Sequence, residues 1–293
     1  MAMKATVHIR AAVRNGATRL VESYATPPFK VADITEDRGA LLLHLMLMSS
    51  SPGILDGDAY AMRIDLEERS QLHLHTQAYQ RLFQMTGGAR QSMEIHLQEG
   101  AALCYVPHPT VPHRSSVYTG INRIYLAEDC RLIWGEVLTC GRKLNGEIFA
   151  FSKYHSMTEI FKDGHLLLRE NIFLQPSTMQ LRGIGQMEGY THQASLLVIG
   201  RDWTGTSVED RIREYTHGHK DILVGLSAGP AGSRVLRLLG HQAGQLHGIL
   251  QAIAVHLFSG TPLSRDSNPS FKDSTTLIPR QQPFIQDGTT PIP

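Results

Sequence analysis

Between residues 60 and 200 apolar side chains recur with a period close to two. This constrains the fold more than any other feature, because only an extended strand sends alternate residues to one face. Leu72, Leu74, Thr76 and Ala78 form one mostly apolar face, with His73, His75, Gln77 and Tyr79 on the other. Met93, Ile95 and Leu97 alternate in the same way with Glu94, His96 and Gln98. Half-buried strands are predicted throughout this region. Beneath the alternation runs a weak repeat, Leu-x-Glu-x-x-x-Leu, at Leu66-Glu68-Leu72, Leu97-Glu99-Leu103 and Leu126-Glu128-Leu132, with offsets of 31 and 29 residues. Each copy sets an acidic turn between apolar strand residues, so passes of about 30 residues can stack like the coils of a solenoid. Turns in an ordinary sandwich produce the same spacing, and the repeat alone does not choose between the two.

The period changes towards the C-terminus. Ser207-Val208-Glu209-Asp210 has the form of a helix start, and Val208, Ile212 and Tyr215 share one helical face before Gly218. Leu246, Ile249, Leu250, Ile253 and Leu257 form an apolar stripe that predicts a second helix docked on the sheets and ending near Gly260. Gly244 and Gly248 each weaken that helix by about 1 kcal/mol relative to alanine, so it depends on packing. Residues 1–258 are therefore expected to form one β-rich domain. From residue 259 to 293 the chain is rich in Pro and Ser, holds six of the 14 prolines and shows no apolar periodicity, so an extended or disordered tail is predicted.

Composition narrows the function. Lys plus Arg is 28 against Asp plus Glu 27, which provides no field to draw nucleic acid or an anionic membrane. The first 16 residues alternate polar and apolar without a secretory h-region, and the longest apolar patch, Leu41 to Met48, is interrupted by His44. A cytoplasmic protein is expected. Cys104, Cys130 and Cys140 are odd in number and lack Cys-x-x-Cys spacing, so they are predicted to be buried small hydrophobes.

Four segments are candidates for chemistry. His73-x-His75 projects two imidazoles from one face of a predicted strand, a pair suited to nickel or zinc, although no third ligand stands at a recognisable spacing. Pro107-His108-Pro109-Thr110-Val111-Pro112-His113 has three prolines in seven residues and predicts a rigid, exposed rim outside any central strand. In Ser51-Pro52-Gly53-Ile54-Leu55-Asp56-Gly57-Asp58 the glycines allow tight turning and Asp58 is placed to accept local backbone N–H groups; no Gly-Lys-Ser/Thr ending makes it a phosphate loop. In Gly141-Arg142-Lys143-Leu144-Asn145-Gly146-Glu147, Arg142 and Glu147 flank an Asn-Gly turn and are predicted to pair across it. No Gly-x-Ser-x-Gly elbow or protease-like cysteine is present.

Taken in order, these pieces resemble the UreD/UreH urease accessory family. The matching segments are Thr18-Arg19-Leu20 with Pro27-Pro28-Phe29-Lys30, SSSPGILDGDAY at 49–60, HTQAYQRLF at 75–83, VPHPTVPH at 106–113, GEVLTCGRKLNGEIFAF at 135–151 and GYTHQASLLV at 189–198. Carried by them, the family-motif residues are Gly53, Gly57, Asp58, Thr76, Gln77, Arg81, Pro107, Pro112, Gly141, Arg142 and Glu147. The chain departs from the Pro-Gly-Gly-x-x-Gly-Gly-Asp form common in the family, and Arg81 and Phe83 stand where the family often has a Lys and then an aromatic, keeping charge and aromaticity. The resemblance implies a β-helix-like, mostly antiparallel fold with two C-terminal helices. It also implies a scaffold that is not an enzyme, holds no tightly bound cofactor, and partners UreF and, through it, the GTPase UreG. That assembly docks on apo-urease and passes nickel to it transiently. His73, His75, Asp58 and Glu147 are the polar candidates for the nickel path. The competing possibility is a β-rich metalloenzyme using His73 and His75 as ligands. A carbohydrate-binding solenoid ranks last, since only two tryptophans are present.

Overall fold

The computed structural model describes residues 2–200 and 206–259. The chain begins with strands β1 (Lys4–Arg14), β2 (Ala17–Ala25), β3 (Phe29–Asp33), β4 (Leu42–Ser49), β5 (Ala59–Leu66) and β6 (Gln71–Thr76). It continues through β7 (Gln80–Leu82), β8 (Ala89–Leu97), β9 (Ala102–Tyr105), β10 (Thr110–Pro112), β11 (Val117–Leu126) and β12 (Arg131–Thr139). After β13 (Lys153–Lys162), β14 (His165–Leu174) and β15 (His192–Ile199) come helix α1 (Thr206–Thr216), β16 (Leu223–Ala228), β17 (Arg234–Gly240) and helix α2 (Ala243–Ser259).

These strands make two sheets. One has the order β14-β13-β11-β8-β5-β1-β2, and the other runs β16-β17-β15-β12-β9-β6-β4-β3, with β10 joining β12 to β7 at its side. The chain alternates between the sheets: β5, β8, β11 and β13 lie in the first, and β6, β9 and β12 in the second. Each return to a sheet therefore runs in the same direction as the previous visit. Nine of the fifteen pairings between described strands are parallel. The expected mostly antiparallel pairing is corrected accordingly: the sheets are mixed, with parallel strands stacked in the middle and antiparallel pairs such as β1–β2, β13–β14 and β16–β17 at the margins. The period-two pattern could not distinguish these arrangements, because side-chain alternation is the same in a strand of either direction.

Register shows what the repeat meant. Leu66 pairs with Leu97 and Leu97 with Leu126, while Leu72 pairs with Leu103 and Leu103 with Leu132 in the facing sheet. Ile9, Ile64, Ile95, Ile124 and Ile160 form a ladder across five strands of the first sheet. All of these side chains are buried in one core between the sheets. Each contributes about 1.5–3 kcal/mol of burial, and a one-residue slip would turn a whole strand's apolar set outward.

A second core lies on the opposite face of the second sheet. There Cys104, Ile133, Leu196, Val198, Leu236 and Leu238 pack against Leu246, Ile249, Leu250, Ile253 and Leu257 of α2 and Val208 and Ile212 of α1. Both helices thus present the predicted stripes, although the Ser207 side chain proposed to start α1 lies outside the described residues. All three cysteines are free and buried, as expected. No helix among the described residues is long and apolar enough to cross a membrane. The tail predicted from residue 259 falls, from 260 onward, outside the described residues.

Gly248 lies on the exposed side of α2, and a Cβ built there meets nothing within 4 Å. Gly248→Ala is expected to stabilise the protein by about 1 kcal/mol through helix propensity alone, measured as an upward shift in the urea midpoint. An unchanged midpoint would mean that the helix already frays at this turn.

Candidate functional site

Strand β6 puts Leu72 and Leu74 into the core and turns His73 and His75 to the other face, as the alternation predicted. The neighbouring parallel strand β4 supplies a third imidazole, because His44 lies directly opposite His73 in register. His44 Nδ1 is 3.1 Å from His75 Nε2, and the His73 and His75 rings are 3.9 Å apart between centroids. One ring nitrogen from each of the three lies within 4.8 Å of the others. His73 is buried, whereas His44 and His75 are half-buried. Burial, reinforced by the neighbouring imidazoles, lowers the pKa of His73 to about 3 and of His75 to about 4. Burial lowers His44 as well, against the opposing pull of Glu36 and Asp33. The cluster is therefore neutral at physiological pH, the form of imidazole that can coordinate a cation.

The row of histidines continues beside it. His108, on the segment leading to β10, hydrogen-bonds Thr76 Oγ1 through its backbone N–H at 2.9 Å, and its ring lies 4.9 Å from that of His247 on α2. Burial lowers the His247 pKa to about 4.

The other predicted path residues do local work. Asp58 is buried and accepts from the backbone N–H of Met3 at 2.9 Å and of Leu55 at 2.8 Å, and from the Tyr60 hydroxyl at 2.7 Å. It fastens the 51–58 loop to the N-terminal strand, as its expected backbone bonding implied. Glu147 is gripped by the Arg142 guanidinium and accepts from the Arg114 backbone N–H at 3.1 Å. The Arg142 hydrogen bonds first, with those and the charges beside them, hold the Glu147 carboxyl down at about 2. This salt-bridged turn was predicted, and its centre is a 3-10 turn over Lys143–Asn145 closed by Gly146. Neither carboxylate joins the histidines.

The Pro107–His113 segment differs from its prediction. Thr110–Pro112 is a strand between β7 and β12, and Pro109, Pro112 and His113 are buried, so the segment is no exposed rim. A three-residue strand needs few donors, and the flanking groups supply the bonds: Gln80 N–H donates to Pro109 O at 3.1 Å and His113 N–H to Leu82 O at 2.8 Å. Tertiary pairing thereby overrides the usual exclusion of proline.

Three separated motif segments converge here. Gly53, Thr76, Gln77, Arg81, Pro107 and His108 line one cavity of about 220 Å3. Gly141, with φ at +119°, backs onto Pro112, where an added Cβ would stand 2.9 Å from the Pro112 carbonyl oxygen.

Sequence reasoning overlooked two residues. His44 showed only as an interruption in an apolar run. Glu136 is a lone carboxylate within the apolar strand β12, and it faces the space between the sheets. It accepts hydrogen bonds from the Tyr154 hydroxyl and, at 3.1 Å, from Ser156 Oγ. It lines a cavity of about 590 Å3 together with Glu170, Asn171, Gln193, Ser195 and Arg237. Burial, opposed by those hydrogen bonds and aided by the Glu170 charge, raises the Glu136 pKa to about 7.

Fold and site together define a mainly β protein of two mixed sheets, with a neutral cluster of nitrogen donors on one outer face and a carboxylate-lined cavity that opens to solvent. The chain matches the UreD urease accessory protein family model over residues 3–268. It is 40% identical over 251 residues to a urease accessory protein UreD of Flavobacterium johnsoniae, covering 84% of this chain and 90% of that one. It is 36% identical to proteins of the same name from Acetivibrio thermocellus, covering 84% and 94%, and from Haemophilus influenzae strain 86-028NP, covering 82% and 93%. The protein belongs to the UreD family of urease accessory proteins.

Proposed function

We propose that this protein is a cytoplasmic chaperone required for nickel insertion into apo-urease, acting in complex with UreF and, through UreF, with UreG. The family match over residues 3–268 carries this reading. The site chemistry supports it. A transit protein needs donors that replace part of a cation's water shell and still let it go, which favours an open imidazole cluster and isolated carboxylates over a closed tetrahedral centre. The His73–His75 pair and the Glu136 cavity are of that kind. Asp58 and Glu147 are better understood as supports, since their oxygens are engaged by backbone N–H groups, Tyr60 and Arg142.

A docking role is supported by the sheet edges. Strand β16 leaves Leu223 and Val224 exposed, and β14 exposes Leu166 and Phe173. Exposed apolar groups on edge strands favour association. Co-expression with UreF should therefore raise the soluble yield, whereas an unchanged yield would count against an obligate partnership. The decisive test is deletion of the gene: urease should accumulate at normal abundance but nearly free of nickel, and nickel-replete urease in the deletion strain would overturn the function. The metalloenzyme reading, which also uses His73 and His75, predicts instead one ion per chain retained through exhaustive dialysis and turnover of a substrate by the isolated protein.

A further inference from the structure

We propose that His44, His73 and His75 together form a three-nitrogen binding site for a divalent transition-metal ion. The site stands on its geometry. Its use in delivery rests on the function proposed above.

Adjacent parallel strands build it. His44 and His73 are register partners on β4 and β6, and His75 follows two residues on, on the same face as His73. The backbone ladder thus fixes three Cα positions before any metal arrives. The 3.1 Å between His44 Nδ1 and His75 Nε2 matches two neighbouring ligands on an ion about 2.1 Å from each. With the third nitrogen within 4.8 Å of both, a rotation of the His73 ring completes a triangular face. Without the ion, one of the two close nitrogens carries the proton and donates a hydrogen bond to the other. When the ion binds, that imidazole moves its proton to its second ring nitrogen, so no net proton is released from the pair.

The donor set selects the cation. Neutral imidazoles favour nickel, cobalt, zinc or copper over magnesium or calcium, which prefer oxygen. Asp33, which pairs with Arg38, and Glu36 act electrostatically on His44. The Phe258 ring lies 6.1 Å from that of His73. The clustered donors among the described residues are these three, an open set that suits an exchangeable ion.

The test uses untagged full-length protein stripped by chelator dialysis, titrated calorimetrically with nickel chloride and separately with cobalt chloride near neutral pH. One ion per chain is expected. His44→Ala and His75→Ala, both at half-buried positions, should each weaken binding at least tenfold, and the double variant should abolish it. His165→Ala, at an exposed position on β14, should leave it unchanged. Circular dichroism melts establish that each variant is folded. Independently of any variant, X-ray absorption of the nickel-loaded wild type should show imidazole scattering from about three rings. Wild-type affinity in the double variant, or a shell of oxygen ligands alone, would overturn the site. Failure of the delivery reading looks different: the double variant would lose metal in vitro while urease in cells still filled with nickel.

Discussion

Gly53→Ala is expected to destabilise the protein by about 3 kcal/mol, near the upper limit for adding a single methyl group. A Cβ at this position would stand 2.3 Å from the Arg81 carbonyl oxygen, 2.9 Å from Arg81 Cβ and 2.9 Å from the Phe83 ring. Relief is blocked on both sides. The Arg81 carbonyl accepts the Ile54 N–H at 2.8 Å, and Arg81 lies in β7, paired along its length with β10. Moving either backbone would break that bond or open the strand pairing beside the 220 Å3 cavity. Urea denaturation of the two proteins measures the effect. A midpoint equal to the wild type would mean that the 51–58 loop adjusts freely and that the close approach is not a constraint. The contrast with Gly248→Ala, expected to act in the opposite direction, separates steric from conformational effects at glycine.

The second large effect depends on pH. Glu136 has a pKa raised from 4.5 to about 7 by burial. Its folded-state pKa therefore exceeds the unfolded value, and the native state holds the proton more tightly. The stability this represents is fully present below about pH 4.5, declines as pH rises through about 7, and is absent above. A shift of this size corresponds to about 1.4 kcal/mol per unit. The carboxyl lines a 590 Å3 cavity that solvent can share, so the expected net effect is about 2 kcal/mol. Glu136→Gln keeps the shape and removes the titration. Relative to the wild type, the variant should be about 2 kcal/mol more stable at pH 8 than at pH 5. Parallel stability curves across this range would show that Glu136 titrates as an ordinary exposed carboxylate.

Both predictions concern residues whose importance was unequally visible in the chain. Gly53 stood within a motif segment, and the two glycines four apart signalled a tight turn. The same holds for the Arg142–Glu147 pair, where an Asn-Gly turn brought opposite charges within reach. These are local features, and local sequence is sufficient to specify them. Glu136 offered no such signal, since one carboxylate in an apolar strand is equally consistent with an outward-facing residue until the second sheet is in place. His44 was hidden for a related reason. It precedes His73 by a full pass of the chain, and only the pairing of β4 with β6 makes them neighbours. The proline segment misled in the opposite direction, because its intrinsic preference for an exposed edge yielded to pairing with β7 and β12.

The sequence by itself determined that the middle of the chain is strand, that leucines recur at 31 and 29 residues, that two amphipathic helices follow towards the C-terminus, and that the ordered motifs resemble one family. These follow from periodicity and local order, which are carried along the chain. Tertiary structure alone decided that the strands run mostly parallel through the centre, that three histidines from two strands meet, and that a carboxylate faces the space between the sheets. Side-chain alternation carries no record of strand direction or of which strand comes to lie alongside. Both are settled only when the two sheets bury their leucine and isoleucine ladders against each other.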